Sequence, residues 1–235
     1  MDIVLVAGLW LDGSAWDDVV SVLVDLGHQP VPLTLPGQGD GSESATLDDQ
    51  VTAVVAAVDS ASGKALVVGH SAACSLAWLA ADRRPDSLAG VVLVGGMPAA
   101  DGEVYFGLLE PTDGAVGFPG WDTFDGPDSA DLDRVTKRAF ETAAIPVPEE
   151  VTQATVHLAD PRRFDVPVTL VCPEFSPAQA REWIDAGEMP ELAQAAHLDL
   201  VDIDSGHWPM FTKPAELARI LAAVAGDAHD DPARR

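Results

Sequence analysis

The chain has 235 residues, with 38 acidic against 13 basic side chains and a formal net charge of -25. That balance disfavours nucleic acid and anionic membrane as partners, and the length is sufficient to bury a full core. An apolar run of about 18 residues and a basic stretch leading into an apolar one are both missing from the sequence, so neither a membrane span nor a signal peptide is expected. Cys74 and Cys172 form neither a disulfide framework nor a metal motif and read as buried small hydrophobes, which places the protein in the cytoplasm. With only Lys64, Lys137 and Lys213 as lysines, the acidic excess reads as a solvated surface and carries no function of its own.

Asp2 to Ala7 predicts a first apolar strand, and Ser14 is positioned to cap a helix from Ala15 to Leu26 that stops at Gly27. Val31 to Leu35 predicts a second strand, closed by Pro36-Gly37-Gln38-Gly39-Asp40. Thr46 with Asp49 three residues on has the form of a capping box, opening an apolar-periodic helix to about Asp59. Ala65 to Val68 predicts the third strand, Ala72 to Asp82 a helix, and Leu88 to Val94 the fourth strand; Val166 to Cys172 and Leu198 to Ile203 predict the fifth and sixth. Apolar β-branched strands separated by helices imply an α/β fold with a mainly parallel sheet covered on both faces. In such sheets function lies at the carboxyl ends of the strands.

The alternation breaks between Met97 and Asp165, where glycine, proline, aromatic and acidic residues mix without a strand period. Residues 97–165 therefore read as a lid inserted over the strand ends of a single domain spanning 1–225, with 226–235 a polar, frayed tail. Ser129 to Ala144 reads as a helix with Ser129 at its cap, and Val151 to His157 as a second short element. Tyr105, Phe106, Leu108, Leu109, Phe118, Trp121 and Phe124 give the insertion a heavy apolar load, enough to form its own small core or to roof an apolar pocket.

Gly69-His70-Ser71-Ala72-Ala73 joins the third strand directly to a helix. A turn this abrupt lifts the central hydroxyl above the sheet edge, provided the residues two before and two after are small; Gly69 and Ala73 meet that demand. A serine hydroxyl needs a base within hydrogen-bond reach and a third group to orient that base. Of six histidines, His28, His157, His197 and His229 fall at unsuitable places in the strand order, and His70 is turned away by the elbow itself. His207, in Asp204-Ser205-Gly206-His207-Trp208-Pro209 just beyond the last strand, is the base candidate. The orienting acid is expected after the fifth strand, where Glu174 is the carboxylate of Pro173-Glu174-Phe175-Ser176-Pro177. Asp101 and Glu103 after the fourth strand are the alternatives, followed by Asp202 and Asp204. Oxyanion charge requires preorganised donors, for which the backbone N–H groups of Ala72 and Leu9 are suited. Trp10, Trp121 and Trp208 are the candidates to line the substrate pocket.

Ala7-Gly8-Leu9-Trp10, Leu35-Pro36-Gly37-Gln38-Gly39, Gly69-His70-Ser71-Ala72-Ala73 and Ser205-Gly206-His207-Trp208-Pro209 together resemble the α/β-hydrolase superfamily over nearly the whole chain. Leu9-Trp10-Leu11-Asp12-Gly13-Ser14-Ala15-Trp16 and the short lid look like the small esterases related to plant methyl esterases and hydroxynitrile lyases. The resemblance implies a six-stranded, mainly parallel sheet with a lid after the fourth strand, beginning at the family's third strand. Three places depart from the family pattern: Ala7 stands where the oxyanion loop usually has histidine, Ala73 where the elbow usually has glycine, and Glu174 is followed by Phe175. The activity implied is hydrolysis of a small-molecule carboxylic ester, lactone or thioester through an acyl-serine, with no cofactor and no metal. A cofactor-independent lyase and a noncatalytic binding protein are the other readings, and a homodimer is left open.

Overall fold

A computed structural model describes residues 1–230. The sheet is built from β1 (Asp2–Val6), β2 (Gln29–Leu33), β3 (Ala65–His70), β4 (Leu88–Val94), β7 (Val168–Cys172) and β8 (Leu198–Asp202), in the order β2-β1-β3-β4-β7-β8. Every neighbouring pair is parallel. β3 and β4 are buried along their whole length, as the uninterrupted apolar runs Ala65–Val68 and Val91–Val94 require of strands covered on both faces. β2 carries Pro30 and Pro32 and is only partly buried; it lies at the edge, where a missing N–H costs no ladder bond on the open side. The other edge, β8, exposes Asp199 and Asp202.

Helix α1 (Asp17–Asp25) packs against α8 (Pro214–Asp230), which α6 (Pro177–Asp185) and α7 (Pro209–Thr212) precede in the chain, and α2 (Leu47–Asp59) packs against α3 (Ala73–Arg83). Right-handed crossovers put these pairs on opposite faces of the sheet. The capping box at α2 forms as the sequence predicts, with Asp49 N–H donating to Thr46 Oγ1 and Thr46 N–H to the Asp49 carboxylate. At α1 the expected cap is replaced. Asp12, not Ser14, caps the entry, accepting the Ser14 N–H at 2.9 Å, and a 3-10 turn over Gly13–Trp16 precedes the helix. Ser14 spends its hydroxyl on the same Asp12 oxygen, so it is the partner of the cap. α8 runs to Asp230, which makes residues 226–230 of the expected tail helical; 231–235 lie outside the described residues.

The insertion after β4 has more regular structure than its sequence suggests. β5 (Ala115–Val116) and β6 (Val147–Pro148) pair antiparallel around α4 (Arg134–Ala143), and α5 (Glu149–Thr152) follows. α4 begins five residues later than Ser129, because Asp133 accepts the Val135 and Thr136 N–H groups and is the true cap. Ser129 instead accepts from Lys137 Nζ at 2.9 Å. The short element expected over Val151 to His157 is α5 followed by a single antiparallel bridge between Thr155 and Val104. The end of the insertion is stapled to α3 through buried charges. Asp82 accepts the N–H groups of Ala159 and Asp160, while Arg163 pairs with Glu191, which also accepts from the Trp78 indole.

Register makes the site. Val6 of β1 is level with Gly69, His70 of β3 with Val94, and Val171 of β7 with Val94. The loops that follow β1, β3, β4 and β7 therefore leave the sheet side by side at one edge, and the loop after β8 arrives beside them.

Candidate active site

Ser71 occupies the turn between β3 and α3 with φ of 56°, a left-handed conformation that costs a residue with a Cβ on the order of 1–3 kcal/mol. Its backbone holds it there, with Ser71 N–H donating to Val94 O at 2.9 Å and Cys74 N–H to Ser71 O at 3.0 Å. Gly69 is required by the same turn, since a Cβ there would overlap the Ala73 carbonyl. The loop after β1 approaches equally closely. A Cβ on Gly8 would stand 2.9 Å from Ser71 Cβ and 3.0 Å from His70 O.

His207 Nε2 is 2.9 Å from Ser71 Oγ, and His207 Nδ1 is 2.8 Å from Glu174 Oε1. The carboxylate can only accept, so Nδ1 carries the proton and Nε2 is left to accept from the serine hydroxyl. Glu174 Oε2 is buried with no hydrogen-bond partner among the described residues, so His207 is the group this carboxylate serves. The competing acids are engaged elsewhere: Asp101 accepts the Leu158 N–H, Glu103 the Ala100 N–H, and Asp202 and Asp204 are exposed. Among the described residues, the N–H groups of Leu9 and Ala72 donate to no protein acceptor, as an oxyanion site requires. No cluster of three or more metal-ligating side chains occurs among the described residues.

The backbone of His207 is clamped from two sides. Its N–H donates to Asp128 O at 2.8 Å, and its carbonyl accepts from His70 Nε2 at 2.8 Å. One residue earlier, Gly206 N–H donates to the Asp131 carboxylate at 2.8 Å, and a Cβ on Gly206 would collide with that carboxylate. Burial raises the Asp128 carboxyl above the usual range; the Glu174 charge adds to this and His207 opposes it.

His70 turns away from Ser71, as the elbow predicts, yet it is not idle. Its Nε2–H serves His207, which leaves Nδ1 to accept the Gly8 N–H at 3.4 Å. Complete burial, with the neighbouring His207 next in effect, lowers its pKa to about 3, so it stays neutral through the working range. Neither this residue nor the clamp on His207 was visible in local pattern, because each joins segments far apart in sequence.

The candidate pocket tryptophans share one aromatic cluster. Trp208 stacks edge-on at 4.8 Å from His207 and 5.3 Å from Trp121, while Trp10 lies 5.3 Å from Phe118 and 5.9 Å from Phe124. Trp121 also packs on Phe140 and donates its indole N–H to Lys137 O, and Trp10 donates to Val116 O. Leu108, by contrast, is 84% exposed and roofs nothing.

Residues 3–220 match the model of the alpha/beta hydrolase family, and the chain belongs to that family. A comparison with curated proteins gives no match. Among solved structures, an extracellular alpha/beta-hydrolase from a Paenibacillus species, described as sharing structural and functional homology with tobacco salicylic acid binding protein 2, superposes with a TM-score of 0.76. It is 18% identical over 95% of this chain and 98% of its own. A pyrethroid hydrolase from Sphingobium faniae reaches 0.73 at 21% identity, covering 100% and 99% of the two chains. A methylesterase from Arabidopsis reaches 0.76 at 16% identity, covering 97% and 99%. These likenesses describe the fold; the serine-hydrolase arrangement rests on the side chains described above.

Two measurements probe the site. Glu174→Gln is expected to keep the fold while removing the negative partner of the imidazolium. Its kcat should fall steeply, the analogous loss in a serine protease being about 10⁴; unchanged kcat would remove Glu174 from the triad. For His70, the unfolded chain takes up a proton below pH 6.5 and the folded chain only near 3, so its contribution to stability is present above pH 6.5 and lost as pH falls. Unfolding free energies from urea titrations between pH 6.5 and 5 should therefore decline more steeply in wild type than in His70→Asn, with an added slope approaching about 1.4 kcal/mol per pH unit.

Proposed function

We propose that the protein hydrolyses small-molecule carboxylic esters through an acyl-serine intermediate. The observation that carries this reading is the continuous hydrogen-bonded chain from Ser71 Oγ through His207 to Glu174, at 2.9 and 2.8 Å. His207 takes the hydroxyl proton as Ser71 Oγ attacks the carbonyl carbon. The Leu9 and Ala72 N–H groups then hold the negative oxygen, and His207 returns the proton to the departing alcohol. Water, deprotonated by the same histidine, attacks the acyl-serine to release the acid and restore Ser71. Lactones and thioesters present the same electrophile and belong to the same chemistry.

The aromatic cluster that packs on His207, and the acidic residues Asp128 and Asp131 that hold the His207 loop, favour an uncharged acyl group over an anionic one. We assign Trp10, Trp121 and Trp208, members of this cluster, to the wall that the acyl group packs against. Two structural relatives carry the names pyrethroid hydrolase and methylesterase, in keeping with an ester substrate. A cyanide-releasing lyase would place a cation beside Ser71 and His207, whereas Lys137 is held by Ser129 and lies over the Trp121 ring. The free, buried thiols of Cys74 and Cys172 suit a reducing compartment, which supports a cytoplasmic location.

An organophosphonate probe should add once per chain, on Ser71, and Ser71→Ala should abolish both labelling and turnover; turnover surviving in Ser71→Ala would defeat the acyl-serine reading. Trp121→Ala should raise KM for bulky aromatic esters more than for acetate esters. An equal rise for both, with a lower melting temperature, would confine Trp121 to lid packing.

A further inference from the structure

Gln38 is 1% exposed and lies in the loop after β2, 30 residues from the oxyanion loop in sequence. Both protons of its carboxamide are used there: Nε2 donates to Gly8 O at 3.0 Å and to Leu11 O at 2.9 Å. Its Oε1 accepts from Gln50 Nε2 at 3.1 Å, and Gln50, fully buried in α2, also donates to Pro36 O at 2.8 Å. A donor facing one end of the Gln38 amide and two carbonyls facing the other leave a single orientation of that group.

Gly8 O and the Leu9 N–H belong to the same peptide unit. In a trans peptide the C=O and N–H point in opposite directions, so whatever fixes Gly8 O also fixes the direction of the Leu9 N–H. Gly8 has no side chain to restrict its ψ, and the close approach to Ser71 forbids one. The loop also contains Trp10 at φ of 68°, a left-handed conformation unfavourable for a bulky residue, and Gln38 bridges the carbonyls on either side of it. Burying two primary amides in contact costs solvation that a mere loop staple could avoid with apolar side chains.

We propose that Gln38 is a positioning residue for the oxyanion hole: its carboxamide, oriented by Gln50, holds the Gly8–Leu9 peptide so that the Leu9 N–H faces the reacting carbonyl before substrate arrives. This rests on the acyl-serine reading. Gln38→Met keeps the approximate length and removes both donors. On p-nitrophenyl acetate its kcat should fall on the order of 10²-fold, the loss typical of a missing oxyanion donor, with KM within about twofold of wild type. Affinity for a methyl trifluoromethyl ketone, which adds Ser71 Oγ to its carbonyl carbon and leaves an oxyanion in the hole, should fall in parallel. Gln50→Leu, which leaves Gln38 in place but unoriented, should show a smaller fall of kcat, about tenfold, again without a KM change, and it carries the test if Gln38→Met does not fold. Unchanged kcat and ketone affinity in a folded variant, or a rise in KM at constant kcat, would overturn the proposal. Organophosphonate labelling of wild-type Ser71 is measured alongside: its absence defeats the acyl-serine reading itself, whereas labelled wild type with unaffected variants defeats only the role of Gln38.

Discussion

The close approach of three stretches of backbone around Ser71 is the constraint on which the rest of the site depends. β3 must turn straight into α3, which Gly69 permits by yielding space to the Ala73 carbonyl, while the loop after β1 must come down onto the turn, which Gly8 permits. Ser71 in turn accepts a left-handed backbone, held by its N–H bond to Val94 O. This close packing brings the nucleophile and both candidate oxyanion donors together at one sheet edge. The neighbouring ends of β4 and β7, fixed by their register, set where the acid can stand.

Around that turn the polar groups are arranged so that each fixes the next. Glu174 fixes the tautomer of His207, His70 and Asp128 fix its main chain, and the Gln50–Gln38 pair fixes the loop opposite. Burial keeps these interactions strong and also keeps His70 uncharged beside the base, where a second positive charge would oppose formation of the imidazolium.

The succession of strands along the chain and the triad are readable in sequence because each rests on chain order, whereas the lateral order of the strands in the sheet is not. Ser71, Glu174 and His207 follow their strands in the sequence in which the sheet delivers them, and β4 was bounded correctly by its apolar run. The helix starts expected at Ser14 and Ser129 differ from the structure for a shared reason: an aspartate close by in sequence caps the entry instead, Asp12 on the Ser14 N–H and Asp133 on the Val135 and Thr136 N–H groups, while each serine hydroxyl finds another partner. β5 and β6, of two residues each, are too short to show a period. Gln38 and His70 sit inside sequence motifs that give them no role, since what they do depends on carbonyls 30 and 137 residues away.

Asp128 and Asp131 belong to the insertion, yet they hold the main chain at His207 and Gly206. The lid is therefore not an exchangeable cassette laid over a finished catalytic core. Grafting in the insertion of a relative, or shortening this one between 126 and 133, would take away the carbonyl and the carboxylate that hold the loop carrying His207. The stretch 126–133 thus takes part in placing His207, and the insertion is free of that duty only elsewhere, as in the exposed turn around Leu108.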